Sequence, residues 1–268
     1  MNLRFCAPLA AGVGLAVAAL LPTGPAHAAG ACLSMPLVFE TETASGCPDA
    51  ATLERLMDAP LPVGTRSSST GKFEGVELTA SDDSAKRHVR TCRAYADAVG
   101  EGWYAATQMD MNFEGFMRVA CGSVMALAAS GEATSSRIDD EQVGFQTLSL
   151  LPVDVLPALA PDTEDTLATL KAAQFSVGSM VATGDVLTRG SSPEQLELAY
   201  AGSASTYGEV ARGDFNGNGE MDILVYARHE AVNGSLRWYE LFALSYPDQS
   251  LTFQRFEPAG VEALSLAN

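Results

Sequence analysis

Apolar side chains change their spacing near residue 174 of this chain. Before that point they recur at helical steps; after it they alternate with polar residues in short runs. Residues 51–58 predict a short helix entered through Pro48-Asp49, and the Pro-, Gly- and Ser-rich residues 59–72 predict a loop. Residues 73–78 alternate and predict a strand. Over 82–99 the stripe Val89, Cys92, Ala96, Val99 predicts a helix, with Asp82, Asp83 and Ser84 as N-terminal caps and Gly100 and Gly102 as its stop. A second helix spans 110–129, with Phe113, Phe116, Met117, Ala120, Cys121, Val124 and Leu127 as its apolar face.

Residues 130–142 are polar and read as exposed. The apolar run 145–159 is broken by Pro152 and Pro157, and 167–171 reads as a short helix after a connector at 161–165. Strands follow at 174–183, 195–200, 205–212, 221–229, 235–245 and 250–256. Asn233-Gly234 predicts a tight hairpin in which both residues take positive φ, and Tyr246-Pro247-Asp248 marks another turn. The expected fold class is α+β, with a mainly helical region over 29–160 followed by an antiparallel β-rich region over 161–268.

The first 28 residues change the picture of where the chain works. Arg4 precedes an apolar run from Leu9 to Leu21, then Pro22, Gly24, Pro25 and the small-residue triplet Ala26-His27-Ala28. That pattern reads as a secretory signal cleaved after Ala28, which leaves residues 29–268 in the periplasm or outside the cell. A lipoprotein reading would modify Cys32, but Ala29-Gly30-Ala31 lacks the large aliphatic residue expected before it. No later segment is long and apolar enough to span a bilayer. The net charge is −17, and loss of Arg4 makes it one unit more negative. Such a surface disfavours nucleic acid and anionic lipid as partners.

Cys6 leaves with the signal, so Cys32, Cys47, Cys92 and Cys121 remain. Four cysteines allow three pairings. The short separation favours Cys32–Cys47, and Cys92 and Cys121 both lie on helical stripes that would face each other in an antiparallel pair. The alternative is a buried pair of free thiols. No pair has the C-x-x-C spacing of redox or zinc-ribbon sites.

The sharpest chemical signal is Asp214-Phe215-Asn216-Gly217-Asn218-Gly219-Glu220-Met221-Asp222, or D-x-N-x-N-G-x-x-D. Calcium needs six to eight oxygen ligands about one point, and alternate side-chain oxygens around a glycine turn supply most of them. The stretch Arg212 to Val225 resembles the calcium loop of the FG-GAP and VCBS repeat families, whose loop chemistry dockerins and EF-hands share. The resemblance implies Asp214, Asn216, Asn218, the Glu220 carbonyl and Asp222 as ligands of a Ca²⁺ ion. Two positions depart from the pattern. Val225 stands where an EF-hand has its bidentate glutamate, and Asn218 where aspartate is common. Two formal charges instead of three place the expected affinity near roughly 10⁻⁴–10⁻³ M or weaker. The motif occurs once, which argues against a propeller or solenoid. An Asn/Gly-rich hairpin loop without metal is the bland alternative.

Other motifs carry less. Asp110-Met111-Asn112-Phe113-Glu114-Gly115 also starts D-x-N-x-E-G, but Arg118 stands at the ninth position and the segment fits the second helix. Ser69-Thr70-Gly71-Lys72 matches S-x-x-K without its companion motifs. Met109, Met111, Met117 and Met125 fall at helical spacing and read as core filler. Three functions remain open. A binding or structural module with one calcium loop comes first, ahead of a hydrolase using carboxylates near the loop and an enzyme inhibitor.

Overall fold

The computed structural model describes residues 30–140, 143–246 and 251–256. The predicted signal and its cleavage site, and the turn at Pro247-Asp248, lie outside them. Cys32–Val38 (β1) and Thr43–Gly46 (β2) form an antiparallel hairpin closed by a Cys32–Cys47 disulfide. Ala50–Asp58 (α1) follows, its first turn capped by the Asp49 carboxylate accepting from Thr52 N–H at 2.8 Å.

Val76–Thr79 (β3) and Lys86–Val89 (β4) pair antiparallel. Here the structure corrects the helix expected over 82–99. Asp83 takes φ 57° and the Ala80–Ala85 turn closes a hairpin, so the Asp-Asp-Ser run turns a strand instead of capping a helix. His88 sits on β4 beside Glu77, not on a helix face. The helix starts later, at Cys92–Gly100 (α2), where Thr91 caps it through Ala94 N–H.

Gln108–Ala129 (α3) is the long helix the apolar stripe predicts, but Phe116 of that stripe is exposed, as are Met109 and Met111, expected in the core. Met117, Cys121 and Val124 are fully buried, and each such side chain contributes about 1.5–3 kcal/mol on leaving water. Cys121 is bonded to Cys92 of α2. Both disulfides fit an extracellular or periplasmic protein. Among the described residues, no helix is long and apolar enough to cross a membrane.

Beyond α3 come Arg137–Asp140 (α4), a 3-10 turn at Val153–Val155, Pro161–Ala172 (α5) and Val177–Thr183 (α6). α6 replaces the strand expected over 174–183. Gln174 takes φ 55° and ends α5, Ser176 caps the next helix through Ser179 N–H, and Gly184 at φ 84° stops it. Val177 and Met180, three apart, are its buried face.

The alternating residues then build Val186–Ser191 (β5), Gln195–Tyr200 (β6), Ser203–Gly213 (β7), Asp222–Ala231 (β8), Arg237–Ser245 (β9) and Thr252–Arg255 (β10). They form one antiparallel sheet, with β10, β9, β8 and β7 as neighbours in that order. β7 is long enough to serve two partners. Its first half pairs with β6, and beyond a bulge between Glu209 and Ala211 it pairs with β1. The β8–β9 loop is longer than predicted. Ala231 N–H bonds to the Leu236 carbonyl, and Asn233 alone takes positive φ.

The sheet is therefore covered on both faces, and the α+β class stands. One face carries α1, α2, α3 and the β3–β4 hairpin over Val210, Leu224, Leu241 and Ala243. The other carries the irregular segment 138–186 over Tyr207, Val225, Ala227, Phe242 and Leu244. Residues 30–100 hold four strands as well as helices, so the N-terminal part is less purely helical than expected.

Candidate metal centre

The loop 214–222 joins β7 to β8 at the end of the sheet, where Gly213 pairs with Asp222. This pairing brings the first and last aspartates of the motif to the base of one hairpin. Gly217 and Gly219 take φ of 78° and 80°, a backbone state that residues with a Cβ rarely hold, so the chain folds back over Asp214. Its buried carboxylate accepts three main-chain N–H groups, from Gly217 at 2.7 Å, Asn218 at 3.2 Å and Gly219 at 2.9 Å.

Asp222 is fully buried. It accepts Phe215 N–H at 2.9 Å and the Asn216 amide at 3.4 Å. Burial pushes its pKa up to about 6, with the neighbouring Asp214 charge adding to the rise and the Ser245 and Phe215 hydrogen bonds opposing it. Asn216 donates to Ser245 Oγ at 2.8 Å and accepts from Asn218 N–H at 3.0 Å. The Asn218 side chain is exposed and accepts from Glu220 N–H at 2.7 Å. The Glu220 carboxylate is engaged by Arg137, at 2.8 Å.

Thus Asp214, Asn216 and Asp222 come together, while Asn218 lies at the rim and the Glu220 side chain is engaged elsewhere. Among the described residues, no three His, Cys, Asp or Glu side chains cluster as a metal-holding group. The set has two carboxylates, two amide oxygens and a carbonyl. All are oxygen donors, the chemistry a hard cation takes, and two close carboxylates gain from a positive charge between them.

One part of this arrangement is absent from the motif. Residues 130–137 wrap the loop from outside. Gly131 N–H bonds to the Asp214 carbonyl at 2.8 Å, Thr134 N–H to the Gly219 carbonyl at 2.7 Å, and Met221 N–H to the Ser135 carbonyl at 2.9 Å. A Cβ at Gly131 would lie 2.8 Å from Asp214 Oδ2, so glycine is needed for this approach. A lone Gly131 in a polar stretch was the sole local trace of the contact. The Asp110 motif sits apart, in the first turn of α3, where Asp110 N–H bonds Thr107 Oγ1 at 3.1 Å.

A scan against protein-family models, a search of curated proteins and a search of solved structures each find no match to this chain.

Proposed function

We propose that this protein is an exported binding or structural module whose sheet is locked at one end by a calcium ion in the 214–222 loop. Asp214, Asn216, Asn218, the Glu220 carbonyl and Asp222 are the ligands in this reading. The observation that carries it is the pair Asp214–Asp222. Two buried carboxylates share one loop, with no side-chain cation paired to either among the described residues, and the second is pushed up to about 6 by burial and by the first. A divalent cation there removes that penalty. The ion would join β7, β8 and, through 130–137, the end of α3.

Calcium binding only the folded state raises its stability by RT ln(1 + [L]/Kd). At a free concentration about ten times Kd this is roughly 1.4 kcal/mol. Differential scanning fluorimetry with calcium titrated to millimolar concentration tests it, with magnesium giving the smaller shift because it demands a tighter octahedron. No calcium-dependent rise in melting temperature would remove the ion from the account.

A further inference from the structure

One short segment carries the chain from one face of the sheet to the other. α3 ends at Ala129, just after Leu127 of the first face's core, and the fully buried Ile138 belongs to the second. Between them Gly131 lies opposite Asp214 and Ser135 opposite Glu220. Gly131 N–H, Thr134 N–H and Met221 N–H make main-chain bonds between this strap and the 214–222 loop. Thr134 Oγ1 adds a bond to the Gly219 carbonyl at 3.0 Å, and Arg137 holds the Glu220 carboxylate. No strand or helix is described between Ala129 and Arg137, and Glu132, Thr134 and Ser135 are exposed.

Two consecutive peptide units stand between the strap and the calcium ligands. The Glu220 carbonyl and the Met221 N–H belong to one planar trans peptide, in which C=O and N–H point to opposite sides. Met221 N–H points outward to the Ser135 carbonyl at 2.9 Å, so the Glu220 carbonyl is aimed away from the strap and toward the loop. The preceding peptide works in reverse. Its Gly219 carbonyl accepts from Thr134 N–H at 2.7 Å, while its Glu220 N–H donates to Asn218 Oδ1 at 2.7 Å. A cation on the Glu220 carbonyl fixes that peptide plane and polarises its N–H, which strengthens the bond to Ser135. Without the cation the plane is free to turn, and turning it breaks that bond.

A break in the strap would be held by no disulfide. Cys32–Cys47 and Cys92–Cys121 both lie on its N-terminal side. Arg137 is the only Lys or Arg between Arg118 and Lys171. A protease that cleaves after arginine would hydrolyse the Arg137–Ile138 bond, water leaving a carboxylate on Arg137 and an amine on Ile138. With Ile138 buried and the Arg137 guanidinium on Glu220, that bond is closed to a protease while the strap is seated.

We propose that calcium in the 214–222 loop latches this strap and so controls cleavage of the Arg137–Ile138 bond by an arginine-specific protease. Ion-bound, the strap is seated and the bond is protected; ion-free, the strap lifts and the bond is cut. The cut parts α3 and the rest of the first face from the segment that covers the second. The latch rests on the calcium reading of the loop and adds its regulation, an exported chain that stays whole where calcium is plentiful and is cut where calcium is scarce.

Limited trypsin digestion of the full native chain at buffered free calcium tests it, with trypsin activity normalised to an arginyl reporter peptide in the same tube. Cleavage through a fast-reclosing opening follows the open population. An ion that binds only the closed strap lowers that population by 1 + [L]/Kd, so at about ten times Kd the Arg137 cut should slow about tenfold. The cut is read as a fragment beginning Ile138-Asp139-Asp140. Arg118 in α3 and Arg228 in β8 report unfolding of the whole chain, and without calcium their cuts should stay rarer than the one at Arg137. The melting temperature is measured on the same samples. A calcium-dependent rise in melting temperature with Arg137 cleavage unchanged overturns the latch and leaves the loop reading standing. Equal slowing at Arg118, Arg137 and Arg228 also overturns the latch, because the ion would then act on the whole fold. No thermal shift and no change in cleavage removes both.

Discussion

Two stretches of this chain begin with nearly the same letters, Asp110 to Gly115 and Asp214 to Gly219, and fold into opposite things. At Asp110 the side chain belongs to a helix start. Thr107 Oγ1 donates to its carboxylate at 2.5 Å and accepts its N–H in return, a reciprocal cap. The glycine that ends this stretch, Gly115, sits inside α3 and lets the helix approach Tyr239 of β9, since a Cβ there would lie 2.1 Å from the ring. At Asp214 the same residue types turn inward. The carboxylate gathers the N–H groups of the three residues Gly217 to Gly219, and its glycines supply positive φ. The difference comes from what surrounds each stretch. Helical apolar spacing follows Asp110, whereas strands stand on both sides of Asp214. A motif of oxygen-bearing residues becomes a loop only where its flanks forbid a helix.

The sharpest break of the comparison is between the two aspartates. Without calcium, Asp214→Ala leaves three loop N–H groups without their acceptor and is expected to cost about 3 kcal/mol, against about 1 kcal/mol for Asp110→Ala, which removes half of a cap. Urea unfolding measures both. Asp214→Ala should also erase any calcium shift and Asp110→Ala should keep it; the reverse pattern would place the ion in the wrong stretch.

The glycines come next. Gly115→Ala forces α3 away from Tyr239 and is expected to cost about 2 kcal/mol. Gly219→Ala brings its Cβ to 3.3 Å from Thr134 Oγ1, a tight contact that the Thr134 side chain must yield to, and strains φ, so it should cost about 1 kcal/mol. Thermal melts of the two variants rank them; a larger loss at Gly219 would mean that the loop, not the helix contact, is the tighter fit.

The pH dependence sharpens the comparison further. The pKa of Asp222 is raised to about 6 in the folded protein, above its unfolded value near 4. The folded state therefore holds a proton that the unfolded state has released, and the stability this gives is present below about pH 4 and lost as pH rises through about 6. His229 works the other way. Burial holds its pKa at about 4, so its contribution is lost as pH falls from its unfolded value near 6.5. Comparing the native chain with Asp222→Asn isolates the first effect. The ion-free native protein should gain stability relative to the variant between pH 7 and pH 4, and calcium should flatten that difference. Identical pH profiles would show that Asp222 is solvated after all.

Much of this was legible along the chain. α3 follows from an apolar stripe long enough to specify period and face, and the sheet from alternation bounded by turn residues. Both disulfides join the cysteines that spacing and helix faces suggest. The β3–β4 hairpin was hidden because Asp82-Asp83-Ser84 serves equally as a helix cap or a tight turn, and contacts decide between them. α6 was hidden because seven residues are too few to show a period. The 130–137 wrap rests mostly on main-chain bonds, with Thr134 Oγ1 and the Arg137–Glu220 pair added, to residues more than eighty positions away, and neither the separation nor a main-chain bond can be read from local composition.

The path of the chain has a consequence in time. β1 reaches the sheet only through β7, with Cys32 opposite Arg212, and α3 lies on β9. The first face packs α1, α2, α3 and the β3–β4 hairpin on one another, but it meets the sheet only once the last third of the chain has paired. Such long-range closure is slow, because the entropy of closing the loop is lost before the contacts repay it. The two disulfides span only 15 and 29 residues. Neither needs the sheet. Oxidation before β7 pairs would leave the early chain with two short covalent loops, so the search for β7 would start from a shortened chain.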